Sequence, residues 1–221
     1  MKLLIEALAK FACGLVLVGL LIFLPAGTLG FSYGWLLMAL LFIPMLIAGI
    51  VMLAKSPEFL KKRLDGKEKQ ATQKGVVAIS GLMFIAGFVV AGLDYRFGWS
   101  NVPNWVTITS SAVFVLDYAL YAEVMRENAY LSRTIKVEQG QKVVDTGLYG
   151  IIRHPMYAAT IEMFLMMPLI LGSWYALIVF AVYPMVIVVR LKDEEKLLSQ
   201  ELTGYEAYKQ KVKWRLIPFI W

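Results

Sequence analysis

Residues 33–54 read YGWLLMALLFIPMLIAGIVMLA, a run of 22 residues without a single charge. About 20 apolar residues in an α-helix cross the ~30 Å hydrocarbon core of a bilayer. Pro44 fits inside such a helix as a kink, because neighbouring groups in a bundle can satisfy the carbonyl it frees. The run therefore predicts a membrane span, and the same signal recurs around it. Residues 3–24, 75–93 and 105–125 read as three more spans. The first follows Lys2 and Lys10 much as a signal peptide would. No small-residue cleavage site of the usual form follows, since the run ends at Pro25-Ala26-Gly27, so it reads as a span that is kept.

Composition agrees with this reading. Of the 221 residues, 59% are hydrophobic and 17% charged, against about 25% charged in soluble domains. Mean hydropathy is +0.66. The lone cysteine, Cys13, excludes an internal disulfide or a cysteine-based zinc site, and a single histidine argues against a poly-histidine metal site. The net charge of +6 suits membrane topology better than nucleic-acid binding, because of where the charges fall.

Beyond residue 125 the pattern changes. Residues 126–157 are mixed and too charged to span. Two apolar runs follow, 158–171 and 174–189, joined at Gly172-Ser173. Each is short for a full crossing; a helix beginning at Pro155 would lengthen the first by a turn. Together they predict a tight helical hairpin, followed by a charged amphipathic tail over 190–221. If Lys2 and Lys10 lie in the cytosol, the segments 55–74, 126–157 and 190–221 lie there too. That side then holds 21 of the 22 Lys and Arg, and only Arg96 lies outside. The asymmetry predicts about six membrane segments with both termini cytosolic. The expected fold is an all-α, polytopic transmembrane bundle. It comprises a four-span region over 1–125 and a C-terminal region over 126–221 that carries a cytosol-facing pocket.

Polar residues within spans are expensive and call for a reason. Asp117, near Tyr118 and Tyr121, lies mid-span, and Glu123 lies near the cytosolic end. Each is either functional or hydrogen-bonded to a neighbour. Glu162 sits within the hairpin, seven residues after Pro155. The densest polar stretch is 140–157, GQKVVDTGLYGIIRHPMY. Gly140, Gly147 and Gly150 permit turns and close approach to a ligand. Pro155 suits the first position of a helix, with His154 as its N-cap, and the helix start offers N–H groups to a ligand carboxylate. Further on, Arg190 and Glu194 are four apart and share a helix face. Taken alone they read equally as a snorkelling arginine with its partner at the membrane edge.

In combination the motifs say more. Gly147-Leu148-Tyr149, Arg153-His154-Pro155 and Tyr157 are followed by the hairpin, by Arg190 with Glu194-Glu195, by Gly204-Tyr205 and Tyr208, and by Pro218-Phe219-Ile220. This order resembles the isoprenylcysteine carboxyl methyltransferase family over residues 126–221. The resemblance implies S-adenosylmethionine as cofactor. It also implies that Gln141, Lys142, Val143 and Val144 line the cofactor largely through backbone, with Tyr149, His154, Pro155, Met156 and Tyr157 also in contact. Glu194 would hold the cofactor from the other side. Arg190 would face the acceptor, and Arg190 and Glu194 form the expected catalytic pair. Glu162, near this polar cluster within the hairpin, is expected from its position to contact the acceptor as well. The implied reaction is O-methylation of a carboxylate on a lipid-like or prenylcysteine-type acceptor.

Three other readings remain open from sequence. A related phospholipid N-methyltransferase also carries a Glu-Glu pair after its last span. A membrane sterol-type reductase would share the Pro-Phe-Ile ending and use NADPH. A non-catalytic protein could retain the fold. The expected partners are an amphiphilic small-molecule acceptor and the bilayer, not nucleic acid. The expected location is the plasma or inner membrane in a prokaryote and the endoplasmic reticulum in a eukaryote.

Overall fold

A computed structural model of the chain describes residues 2–65, 71–132, 134–135 and 137–221. Among these residues the secondary structure is helical, with no strand. The helices are α1 (Lys2–Ala26), α2 (Ser32–Lys55), α3 (Pro57–Leu64), α4 (Ala71–Phe97), α5 (Asn104–Glu127), α6 (Pro155–Ile170), α7 (Trp174–Phe180), α8 (Tyr183–Glu201) and α9 (Tyr205–Lys211). A short 3-10 turn occupies Gly147–Gly150. The polar segment 55–74 is α3 and the start of α4 where it is described; its middle, 66–70, lies outside the described residues.

Five helical segments are long and apolar enough to cross a membrane: Lys2–Ala26, Ser32–Lys55, Gln73–Phe97, Asn104–Glu127 and Trp174–Glu201. The chain is thus a multi-pass membrane protein. The sixth expected segment is α6, apolar but only 16 residues long, or about 24 Å at 1.5 Å per residue. It begins at Pro155, at the first helical position, and turns back after Ile170 through Gly172, whose φ of +73° suits glycine. The returning arm is not one continuous helix. It breaks at Ala181-Val182 between α7 and α8, because Pro184 has no N–H to bond the carbonyl of Phe180. The arm then continues past Val189 to Glu201, so Arg190, Glu194 and Glu195 lie on a helix rooted in the hairpin.

The bundle packs α5 against α6, and α4 against both α1 and α7. Phe84, Phe164, Phe180 and Tyr183 form its aromatic centre, with centroids 4.7–5.5 Å apart for Phe164–Tyr183, Phe84–Phe164 and Phe84–Phe180. Two glycines permit the close approach of α4. A side chain at Gly87 would collide with the Phe180 ring, and a Cβ at Gly92 would sit 2.5 Å from the Ile22 carbonyl. Gly81 faces open space.

At the end of the bundle opposite the Lys/Arg-rich segments, Asp94 is buried. It accepts from the backbone and hydroxyl of Ser100, both at 2.6 Å, and from the Ser173 hydroxyl. It ties the α4–α5 link to the α6–α7 turn. The link is therefore shorter than the expected 94–104, since α4 runs on to Phe97. At the other end α3 contacts α1 and α2. Lys10 donates to the Leu64 carbonyl at its C-terminus over 2.7 Å, and Arg63 donates to the Tyr121 hydroxyl. Glu123 pairs with Arg126 on the surface, at 2.5–2.7 Å. Asp117 is 3% exposed, and among the described residues its Oδ2 has no hydrogen-bond partner.

Candidate active site

Four pieces of chain meet beside the Lys/Arg-rich end: the loop after α5, the 3-10 turn with the start of α6, the second half of α8, and α9. Between them lies a cleft, narrow inside and about 840 Å³ when its open mouth is counted. Its walls include Gln141, Lys142, Val143, Val144 and Tyr149 from the loop and turn. His154, Met156 and Tyr157 contribute from α6, and Arg190 and Glu194 from α8. Gln141 and Glu194, 53 positions apart in sequence, thus line the same cleft; Arg133 and Lys136 lie outside the described residues.

Two expected residues are placed differently. Pro155 is fully buried and shapes the helix start instead of facing the cleft. Glu162 is exposed on α6 and does not line the cleft. It lies seven residues, about 10 Å, along the helix from Pro155, and about 140° round it from Tyr157.

Tyr157 joins the two charged α8 residues. Its hydroxyl donates to Oε2 of Glu194 and accepts from Nε of Arg190 at 3.0 Å. Arg190 and Glu194 share a face, as their spacing requires, and the phenol fixes both heads at the cleft wall.

Glu195, one residue on, points elsewhere and anchors the site. Its Oε1 accepts from Arg153 Nε at 2.7 Å and lies 3.2 Å from His154 Nε2; its Oε2 accepts from Arg215 Nε at 2.9 Å. Arg153, His154 and Glu195 are each 6% exposed. Arg153 also donates to the carbonyls of Val212 and Lys213, at 2.8 and 2.9 Å. The backbone N–H groups of Arg153 and His154 donate to Trp214 and Arg215 at 2.9 and 3.0 Å, which docks the C-terminal tail along the Arg-His-Pro turn. His154 does stand at the N-cap position of α6, but its side chain makes no cap hydrogen bond. Glu195 engages it instead.

The loop is built to match. Glu127 accepts from the backbone N–H of Leu148 at 3.0 Å, and its carboxylate fills the space where Gly147 lacks a side chain. Asn128 donates to the Tyr149 hydroxyl at 3.1 Å, and Tyr208 donates to the Tyr149 carbonyl at 2.7 Å. Gln141 closes its turn with Glu138 through paired bonds of 2.9 and 3.0 Å. Val143 packs on Leu202, Tyr205 and Tyr208, which places α9 behind the loop. Burial pushes the Tyr149, Tyr205 and Tyr208 phenols upward, so all three stay protonated at neutral pH. Tyr205 lines the cleft with a buried hydroxyl that has no hydrogen-bond partner among the described residues.

Sequence reasoning gave no role to Arg153, Glu195, Tyr205 or Arg215. The first three lie within the quoted motifs Arg153-His154-Pro155, Glu194-Glu195 and Gly204-Tyr205. Gln73, fully buried and bonded to Arg190, lies in none of them.

The fold and the cleft define a multi-pass helical membrane protein with a polar, charge-lined cleft at the Lys/Arg-rich end of the bundle. Residues 105–200, from α5 to the end of α8, match the model of the Isoprenylcysteine carboxyl methyltransferase (ICMT) family. Members of that family are methyltransferases that use S-adenosylmethionine. The chain is also similar to the "Uncharacterized protein YpbQ" of Bacillus subtilis (strain 168). Identity is 22% over 167 residues, covering 75% of this chain and 96% of that protein.

Proposed function

We propose that this protein is an S-adenosylmethionine-dependent methyltransferase that esterifies a carboxylate on a lipid-like acceptor. The observation that carries the reading is the joining of Arg190 and Glu194 through the Tyr157 hydroxyl at the wall of the cleft. A fixed guanidinium suits a carboxylate, which it can grip through two N–H groups. A fixed carboxylate beside it suits a cationic ligand.

The cleft suits S-adenosylmethionine on observations of its own. Glu194 supplies negative charge for a cationic donor. The Tyr205 hydroxyl offers an unused hydrogen bond to a polar group, and a buried hydroxyl without a partner costs free energy that a ligand would recover. When bound, that cofactor supplies a methyl group on a positively charged sulfur. Arg190 would orient the acceptor carboxylate, Glu194 and the loop around Val143 and Val144 would hold the donor, and Tyr157 would keep the two charged groups in register. A carboxylate is already ionised at neutral pH, so the chain need not supply a general base. Alignment is then its main contribution, worth roughly 7–11 kcal/mol when complete.

The acceptor would reach the site sideways from the bilayer and the cofactor from the cytosol. This requires the Lys/Arg-rich end to be cytosolic, with both termini on that side, as the positive-inside rule indicates. The test is incubation of membranes holding the protein with methyl-labelled S-adenosylmethionine, followed by lipid extraction. Base-labile label absent from membranes of an Arg190→Ala variant supports the reading. Label in headgroup amines contradicts it and favours N-methylation.

A further inference from the structure

Among the described residues Arg190 is held from at least two sides, and one of its holders comes from the half of the chain that carries no recognisable motif. Gln73, in the first turn of α4, is fully buried. Its Oε1 accepts from Arg190 Nη1 at 3.1 Å, and its Nε2 donates to Asp193 Oδ2 at 3.0 Å. The orientation of this amide follows from its partners. A guanidinium only donates, so it requires the amide oxygen; an ionised carboxylate only accepts, so it requires the amide nitrogen. Arg190 and Asp193 are three apart on α8 and present one face to Gln73. Tyr157, from α6, takes Nε of the same guanidinium at 3.0 Å.

We infer that Gln73 is a positioning residue for methyl transfer: by bonding Arg190 and Asp193 together it fixes the direction in which the Arg190 guanidinium meets the acceptor carboxylate. The inference rests on the proposed acceptor role of Arg190. It has a physical basis in the length of the arginine side chain. That side chain carries about 2 kcal/mol of rotamer entropy, and its head is useful only if most of that freedom is removed before the acceptor arrives. A buried amide with both ends committed does this without adding charge beside the guanidinium. It also couples the first turn of α4 to the site, so the N-terminal region takes part in the alignment as well as in the span.

The test uses the full-length protein in lipid nanodiscs, with S-adenosylmethionine and an S-farnesylated N-acetylcysteine as the carboxylate probe. Four quantities are read: cofactor affinity by calorimetry, and kcat, KM and methyl ester formation on the probe. Gln73→Met keeps the shape and removes both bonds. It should lower kcat/KM for the probe by about tenfold to a hundredfold, the scale of a small misalignment, with cofactor affinity unchanged within twofold. Gln73→Glu alone should be at least as impaired, since it sets a second carboxylate against Asp193. Combining Gln73→Glu with Asp193→Asn should restore turnover to within a fewfold of the starting protein. In that pair the new carboxylate accepts from Arg190, while the new amide at position 193 donates back. Mere packing at position 73 would give no such rescue.

Normal turnover in Gln73→Met, with Arg190→Gln strongly impaired, would overturn the inference and leave the reading of Arg190 intact. The same holds if Gln73→Met is impaired and the double exchange fails to rescue it in a folded, cofactor-binding protein. If the unmodified protein esterifies no probe, or Arg190→Gln turns it over normally, the proposed acceptor role fails and the inference fails with it.

Discussion

Arg153 donates through Nε to Oε1 of Glu195 over 2.7 Å, with both side chains closed off from solvent. One is on the turn before α6 and the other near the end of α8, so this pair fastens the two walls of the cleft together. Removing one partner of a buried pair typically costs about 3–5 kcal/mol, because the other charge is left unpaired. Glu195→Ala strands Arg153 and releases Arg215 and His154 as well. We expect it to lower Tm by several degrees and to loosen the C-terminal tail. Thermal unfolding with limited proteolysis of the tail checks this; an unchanged Tm would mean that the pair does not hold the walls.

Tyr157→Phe keeps the ring and removes the hydroxyl that links Arg190 to Glu194. Hydrogen bonds to charged groups contribute about 1.5–3 kcal/mol, which corresponds to roughly tenfold to a hundredfold in rate or affinity. The loss should appear mainly in turnover, with Tm close to that of the unaltered protein. Steady-state kinetics on an esterifiable acceptor would reveal it, and an undiminished kcat would show that Arg190 and Glu194 keep their register without the phenol.

The two loop glycines make a paired prediction. Gly147 has φ of +51° and Glu127 occupying the place of its side chain, whereas Gly140 has φ of +74° with nothing near. Gly140→Ala should therefore cost only the backbone term, about 1–2 kcal/mol. Gly147→Ala should cost more, because Glu127 is expelled and the Leu148 N–H loses its acceptor. Cofactor affinity should fall further in Gly147→Ala than in Gly140→Ala. Equal effects would show that Glu127 does not organise the turn that carries Tyr149.

A tether at the rim gives a pH prediction. Lys211 donates to Asp145 at 2.7 Å, and this bond holds the Asp145 carboxyl below its usual range. A lowered carboxyl stabilises the folded state above its unfolded value and loses that contribution as pH falls through the folded value. The tie between the loop and α9 should thus be complete at neutral pH and weaken only in acid. Both groups are exposed, so Asp145→Asn should leave Tm at pH 7 nearly unchanged. A large loss there would assign the pair more than a surface role.

How much of this was legible beforehand follows from the range of each interaction. The spans and the hairpin depend on runs of apolar residues, which are local, and they appear where the sequence sets them. The break between α7 and α8 was also local, in Pro184, but its carbonyl partner lies a turn away and the run itself stays apolar throughout. The short helix α3 was hidden in a charged segment, where its buried Leu60 and half-buried Phe59 are too few to make a pattern. Arg190 and Glu194 were legible as a pair because four residues return to one face. The Glu194-Glu195 doublet was not, since adjacent positions diverge by about 100° around a helix. Only the fold shows that Glu194 meets Tyr157 and Glu195 meets Arg153. Glu162 stands away from the cleft for the same reason: nearness in sequence to the polar cluster does not set which side of α6 a residue occupies. Gln73 and Arg190 are 117 positions apart, and no spacing rule reaches that far.

The most direct measurement is calorimetric titration of S-adenosylmethionine into the purified protein, with Glu194→Ala as the paired variant. Deleting one member of a closely held charge contact typically costs 2–5 kcal/mol. The unaltered protein should therefore bind saturably, and the variant should bind at least roughly tenfold more weakly, with both proteins folded. Equal affinities would remove Glu194 from the donor site, and absence of binding by the folded, unaltered protein would contradict the methyltransferase reading of the cleft.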